Sequence, residues 1–126
     1  MKYLALLLSL LVLTFCSPPE VPEVPEIPLD QLVELDGLMY QANSHEPFTG
    51  SAVKFHHNGQ LRSREIYKDG KREGFAEKFH DNGQLKYRLN YTDGKADGIL
   101  KQFRNNGQVK KIEIYKDGEL IDQRSE

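Results

Sequence analysis

The sequence predicts an all-β protein, an elongated antiparallel β-meander of stacked hairpins behind a signal-type helix and an extended Pro/Glu-rich linker. Three observations carry that expectation. A block of residues recurs three times at a period of 24 without slippage, the mark of a repeat architecture. Each block holds two turn dipeptides, Asn-Gly and Asp-Gly, set alternately 11 and 13 residues apart, and both are hairpin signals. Between them run segments such as QLKYRLNY, where Leu85, Tyr87, Leu89 and Tyr91 alternate with Lys86, Arg88 and Asn90. A period of two is that of a half-buried strand.

The chain begins MKYLALLLSLLVLTFC. As a helix, the apolar run from Leu4 to Phe15 would reach about 18 Å, short of a ~30 Å bilayer core. It lacks the amphipathic pattern of a buried helix, and its length suits a secretory signal peptide over residues 1–15. Cys16 is the sole cysteine, so these residues hold no disulfide. Its place just after the apolar run resembles the lipobox of bacterial lipoproteins. Leu13 and Thr14 fit that pattern, while Phe15 stands where it has a small residue. The resemblance implies lipid attachment at Cys16 and a membrane-anchored location in the bacterial cell envelope, at the outer membrane in a Gram-negative cell.

Residues 16–34 then read as the anchor cysteine and a spacer. SPPEVPEVPEIP (17–28) interleaves Pro with Glu, a composition that disfavours a packed core and favours an extended, semi-rigid tether. Its twelve residues, at ~3.1 Å each, would hold a domain about 35–40 Å from a surface. Charge divides along the same line. Cys16–Thr49 carries seven acids and no Lys or Arg, whereas Gly50–Gly118 carries 15 basic and 9 acidic residues. The net value of −2 hides a basic repeat region behind an acidic spacer.

The repeat domain is expected over residues 35–122, with a lead-in segment at 35–49, repeats starting at 50, 74 and 98, and a tail at 123–126. Its markers are Gly50, Gly74 and Gly98; Phe55, Phe79 and Phe103; and the turns Asn58-Gly59, Asn82-Gly83 and Asn106-Gly107. Tyr67, Tyr91 and Tyr115 follow, then Asp69-Gly70, Asp93-Gly94 and Asp117-Gly118. A two-residue Asn-Gly loop would set Phe79 opposite Lys86. A three-residue loop, Asp81-Asn82-Gly83 with Gly in the left-handed region, sets Phe79 opposite Leu85, and the hydrophobic pattern favours it.

That register predicts an apolar face at odd positions: Val53, Phe55, Leu61, Tyr67, Phe75, Phe79, Leu85, Tyr87, Leu89, Tyr91, Ile99, Phe103, Val109 and Tyr115. It allows Phe and Tyr to stack as cross-strand pairs. The even positions then form a basic face and the candidate binding surface: Lys54, His56, Arg62, Arg64, Lys78, His80, Lys86, Arg88, Arg104 and Lys110. Ile66, Ile112 and Ile114 fall on the basic face against this pattern, and Glu65, Glu77, Lys101 and Glu113 on the apolar one. Gly74 and Gly98 are expected to mark a bend or admit an aromatic neighbour, so that Ala there would cost packing.

The unit G-F-x-x-x-F-x-x-N-G-Q-L-x-x-x-x-x-Y-x-D-G-K resembles the MORN-repeat variant of bacterial proteins grouped as YwqK-type "toxin–antitoxin system antitoxin" proteins. The lead-in LDGLMYQANSHEPFTG, through Asp36, Gly37, Tyr40, Pro47, Phe48, Thr49 and Gly50, is similar to the segment that opens repeats in that family. The resemblance implies an elongated sheet of stacked hairpins, and scaffold, antitoxin or lipid-binding roles.

The residues themselves offer no enzyme constellation, cofactor motif or metal set. His56 and His80 share a repeat position that Arg104 fills in the third copy, and His56-His57 would point to opposite faces of a strand. Basic residues set opposite the aromatics argue against a nucleic-acid platform. The expectation is a non-enzymatic, envelope-tethered module for protein–protein interaction or scaffolding. The alternatives are an antitoxin or immunity-type protein that neutralises a toxin, and a binder of anionic lipid through the basic face. The unpaired edges of an open meander also admit an edge-strand dimer.

Overall fold

The computed structural model describes residues 24–126. The apolar run, Cys16 and most of the Pro/Glu stretch lie outside these residues. In chain order the elements are β1 (Glu26–Pro28), a 3₁₀ turn (Leu29–Gln31), β2 (Leu32–Leu35), β3 (Leu38–Gln41), β4 (Gly50–Phe55), β5 (Leu61–Lys68) and β6 (Lys71–Arg72). There follow β7 (Gly74–Phe79), β8 (Leu85–Thr92), β9 (Lys95–Ala96), β10 (Gly98–Phe103), β11 (Val109–Lys116) and β12 (Glu119–Ser125). One sheet runs β1-β4-β5-β7-β8-β10-β11-β12, with β6 and β9 attached to β5 and β8, and β2-β3 form a separate hairpin. The predicted antiparallel meander of stacked hairpins is what forms, as an open sheet.

Two boundaries differ from the expectation. Glu26–Pro28, assigned to the spacer, pairs in parallel with Ser51–Val53, and Ile27 is buried. Proline is tolerated on an edge strand, whose outer N–H groups need no ladder partner. The Pro25 carbonyl accepts from the Ser51 N–H at 2.9 Å, so the stretch can be both proline-rich and folded. At the other end, residues 123–125 are not a tail but complete β12, which pairs with β11.

The turns fall into two kinds. At the Asn-Gly sites Phe79 pairs with Leu85, His80 and Gln84 close the loop, and the Gly83 N–H donates to the His80 carbonyl with φ 85° at Gly83. The loop is therefore the three-residue Asp81-Asn82-Gly83, as the hydrophobic register required. The Asp-Gly sites are two-residue turns: Thr92 pairs with Lys95 across Asp93 (φ 50°) and Gly94 (φ 81°). Positive φ at both central residues matches the twist of the flanking strands.

The single apolar face is not what forms. Phe79 pairs with Leu85 but Lys78 pairs with Tyr87, so Lys86 is an extra residue, a β-bulge. Arg62 and Lys110 hold the same place in the other repeats. Because side chains alternate with a period of two, one extra residue reverses every side chain beyond it relative to the partner strand. Phe79 and Leu85 lie on one face with Phe75, Glu77 and Arg88. Tyr87, Leu89 and Tyr91 lie on the other with Gly74, Ala76 and Lys78. The same split puts Ile99, Lys101, Phe103, Val109, Ile112 and Ile114 on the first face, and Leu100, Lys111, Glu113 and Tyr115 on the second. The strand phenylalanines and tyrosines are thus segregated, and Phe–Tyr cross-strand stacking does not occur. The isoleucines that broke the odd–even pattern belong to a second apolar face.

The tyrosine face is the more closed, with Ala52, Ser63, Tyr67, Ala76, Leu89 and Leu100 buried on it. Its first repeat is covered by the lead-in segment. Ile27, Phe48, Ala52 and Tyr67 form the core cluster, and Leu29, Leu32 and Met39 pack against it. The Phe48 and Tyr67 ring centres stand 6.0 Å apart. Met39 N–H donates to the Gly70 carbonyl and Gly70 N–H to the Phe48 carbonyl, both at 2.8 Å, which seats the hairpin on the first Asp-Gly turn. A repeat stack needs such a cap where its terminal face would otherwise meet water.

Candidate functional site

The ten basic positions do not share a face. Lys54 and Lys78 are on the tyrosine face, paired with Ser63 and Tyr87 across the ladder. Arg64 and Arg88 are on the phenylalanine face, where they pair with Glu26 at 3.4 Å and Glu77 at 2.7 Å. Arg62, Lys86 and Lys110 are the bulge residues. His56, His80 and Arg104 each precede an Asn-Gly turn.

What the structure does bring together is an edge. Lys54, Arg62, Lys78, Lys86, Arg104 and Lys110 all flank the Asn-Gly turns, and none makes an ion pair among the described residues. The only acid in those three segments is Asp81. The opposite edge, at the Asp-Gly turns, sets Asp69, Asp93 and Asp117 among Lys68, Lys71, Lys95 and Lys116, beside the acidic lead-in hairpin. The surplus of positive charge therefore lies at the Asn-Gly end of the strands.

His56 and His80 are spent on construction. Each Nε2 donates to a backbone carbonyl of the next repeat, at Phe79 and Phe103, over 2.9 Å. The carbonyl can only accept, so Nε2 carries the hydrogen. The asparagines do the same: Asn58 Nδ2 donates to the Asp81 carbonyl at 2.6 Å and Asn82 Nδ2 to the Asn105 carbonyl at 2.8 Å. Each Oδ1 meanwhile accepts from the N–H two residues on, closing its own turn at 3.0 Å. Only an amide both accepts and donates in this way; an aspartate would lose the outward bond. Beside the third copy lies β12, which does not carry the repeat pattern, and Arg104 reaches the Val109 and Glu126 carbonyls instead. The exchange of His for Arg thus follows position in the stack. The recurrence of His and Asn at a 24-residue spacing is the sequence signal that they act between repeats.

The phenylalanine face has three rows of side chains along the repeat axis. Phe55/Leu61, Phe79/Leu85 and Phe103/Val109 form one outer row, and Ser51/Ile66, Phe75/Asn90 and Ile99/Ile114 the other. Between them lie Val53/Arg64, Glu77/Arg88 and Lys101/Ile112. Phe55, Ile66, Phe75 and Ile99 are exposed, the last at 58 %. A shallow cavity of about 260 Å³ sits here, walled by Phe75, Ile99, Leu85 and Phe103 and floored by Arg88 and Lys101. The Arg88 guanidinium lies 5.2 Å from the Phe75 ring centre.

On the tyrosine face, Tyr67 donates to Glu65 at 2.5 Å and Arg72 pairs with the same carboxylate at 3.2 Å. Burial, reinforced by the Glu65 carboxylate, pushes the Tyr67 hydroxyl up to about 12. Tyr115 is shifted the same way, by desolvation and then Glu113. Arg72 also covers the Tyr91 ring at 5.2 Å, linking the first repeat to the second.

Architecture and geometry define a class, a single-layer β-hairpin repeat protein with side chains stapling each repeat to the next. The chain belongs to the MORN repeat variant family, whose family model matches residues 48–69, 72–93 and 96–117. Proteins built from such repeats are typically non-enzymatic modules that mediate protein or membrane interaction. No curated protein and no solved structure matches the chain.

Proposed function

We propose that the protein is a non-enzymatic, envelope-tethered repeat module that acts by binding another protein of the cell envelope. The observation that carries this reading is the phenylalanine face. A sheet face with exposed Phe55, Ile66, Phe75 and Ile99, uncovered at these side chains by any of the described residues, is a surface made for contact. The lipobox-like Cys16 supplies the anchor. With Glu26–Pro28 taken into the sheet, the tether shortens to residues 17–25, about 28 Å if extended. Photo-crosslinking residues placed at Ile99 on the phenylalanine face and at Lys78 on the tyrosine face of the anchored protein test the reading. A discrete adduct with an envelope protein from either position supports it. No adduct from both, or an unlipidated Cys16 in a protein found outside the envelope, contradicts it.

A further inference from the structure

The phenylalanine face has the shape and charge of a groove for one kind of occupant, and the geometry points to an acidic amphipathic helix lying along the repeat axis, across the strands. This rests on the protein-binding reading above and names the surface and the partner's chemistry.

Lys101 stands directly opposite Arg88 in the ladder, and like charges in that relation repel. Glu77 compensates Arg88, whereas Lys101 makes no ion pair among the described residues. The floor of the groove therefore has a cation lacking an anion, between apolar walls. A carboxylate there would meet Lys101 and Arg88 together, in a site its own apolar flanks would shield from water. A second copy packed through this same face would bring another surplus Lys101 rather than the missing anion.

Each repeat contributes two long strands, so equivalent side chains recur every ~9.6 Å across the sheet. Seven residues of helix rise ~10.5 Å, so apolar residues at heptad spacing stay close to register with the wall residues Leu85 and Phe103, or Phe75 and Ile99. The walls stand four residues apart along a strand, ~13 Å, which accommodates a helix of ~10 Å diameter. The six repeat strands span ~24 Å, the length of about 16 helical residues. A bilayer surface offers no such period.

A displayed library of helical peptides panned on the full-length protein tests the proposal. Enriched peptides are expected to carry Leu, Ile or Phe at heptad spacing with Glu or Asp between them. Their affinity should fall at least tenfold in Lys101→Glu and stay unchanged in Lys78→Glu on the opposite face. No enrichment, enrichment of basic or non-helical peptides, or acidic helices indifferent to Lys101→Glu would each overturn it. So would flotation with phosphatidylglycerol vesicles that Lys101→Glu abolishes while no helix is enriched. Any of these results, together with a crosslinked envelope partner, removes the helix groove and leaves the interaction module standing.

Discussion

Replacing His80 with Ala isolates one of the bonds that join the second repeat to the third. The lost interaction is one hydrogen bond of 2.9 Å from Nε2 to the Phe103 carbonyl, with both residues half-buried. A bond of this kind contributes about 0.5–1.5 kcal/mol net, and the carbonyl left behind can regain part of that from water, so we expect a loss of about 1 kcal/mol. With a urea m-value of about 1–2 kcal/mol/M, the midpoint should fall by about 0.5–1 M. Repeat arrays are governed by nearest-neighbour interfaces, so the damage should be local. Amide exchange should accelerate in β10 and β11 and leave β4 and β5 unaffected. His80→Gln, whose amide reaches to about the same depth, should restore at least half of the loss. A change below about 0.3 kcal/mol, or exchange that rises equally in all three repeats, would refute the stapling role.

Other substitutions separate the remaining claims. Gly50→Ala should be far more damaging than Gly98→Ala: a Cβ at Gly50 meets the Pro25 carbonyl at 2.4 Å and the Phe48 ring at 2.7 Å, while at Gly98 only the φ of 118° is strained. Calorimetry should show about 1–2 kcal/mol lost at Gly98 and at least twice that at Gly50. Tyr67 is the tyrosine to follow at high pH. Its folded hydroxyl ionises near 12 against about 10 when unfolded, so stability should hold below pH 10 and fall between 10 and 12. Tyr67→Phe should lose the Glu65 bond at neutral pH and flatten that alkaline decline, as measured by urea titrations across the range. Ile27→Ala should cost about 2–4 kcal/mol in chemical unfolding, whereas an unfolded spacer predicts no change.

The repeat was legible because turn chemistry and period leave few options. Asn82-Gly83 and Asp93-Gly94 announced the hairpins, and the pairing of Phe79 with Leu85 followed from keeping apolar residues opposite one another. The bulge at Lys86 was not legible. A bulge residue of this kind has no dedicated composition, and Lys86 looked like another even-numbered cation. Its consequence was visible in Ile66, Ile112 and Ile114, which a single-face reading had to treat as exceptions. The participation of Glu26–Pro28 in the sheet was hidden by proline content, which excludes central strands but not edges.

The role of Gly74 and Gly98 was half legible. Both open a strand with positive φ, at 100° and 118°. The expected packing cost of Ala is wrong: a Cβ at Gly74 would find only Ile66, at 3.7 Å or more, and one at Gly98 nothing within 4 Å. The constraint is conformational. For the candidate site, the cations could be read off the sequence but their distribution between the faces could not, because it depends on the bulges. The uncompensated Lys101 became visible only once the ladder set it opposite Arg88.

The central claim is that one extra residue per repeat sends phenylalanine and tyrosine to opposite faces. Side-chain nuclear Overhauser contacts across β7 and β8 test it most directly. We expect the Tyr87 ring to contact the Lys78 side chain, whose Nζ lies 5.6 Å from the ring centre, and the Phe79 ring to contact Leu85. Contacts that place the Phe79 and Tyr87 rings together on one face would contradict the account.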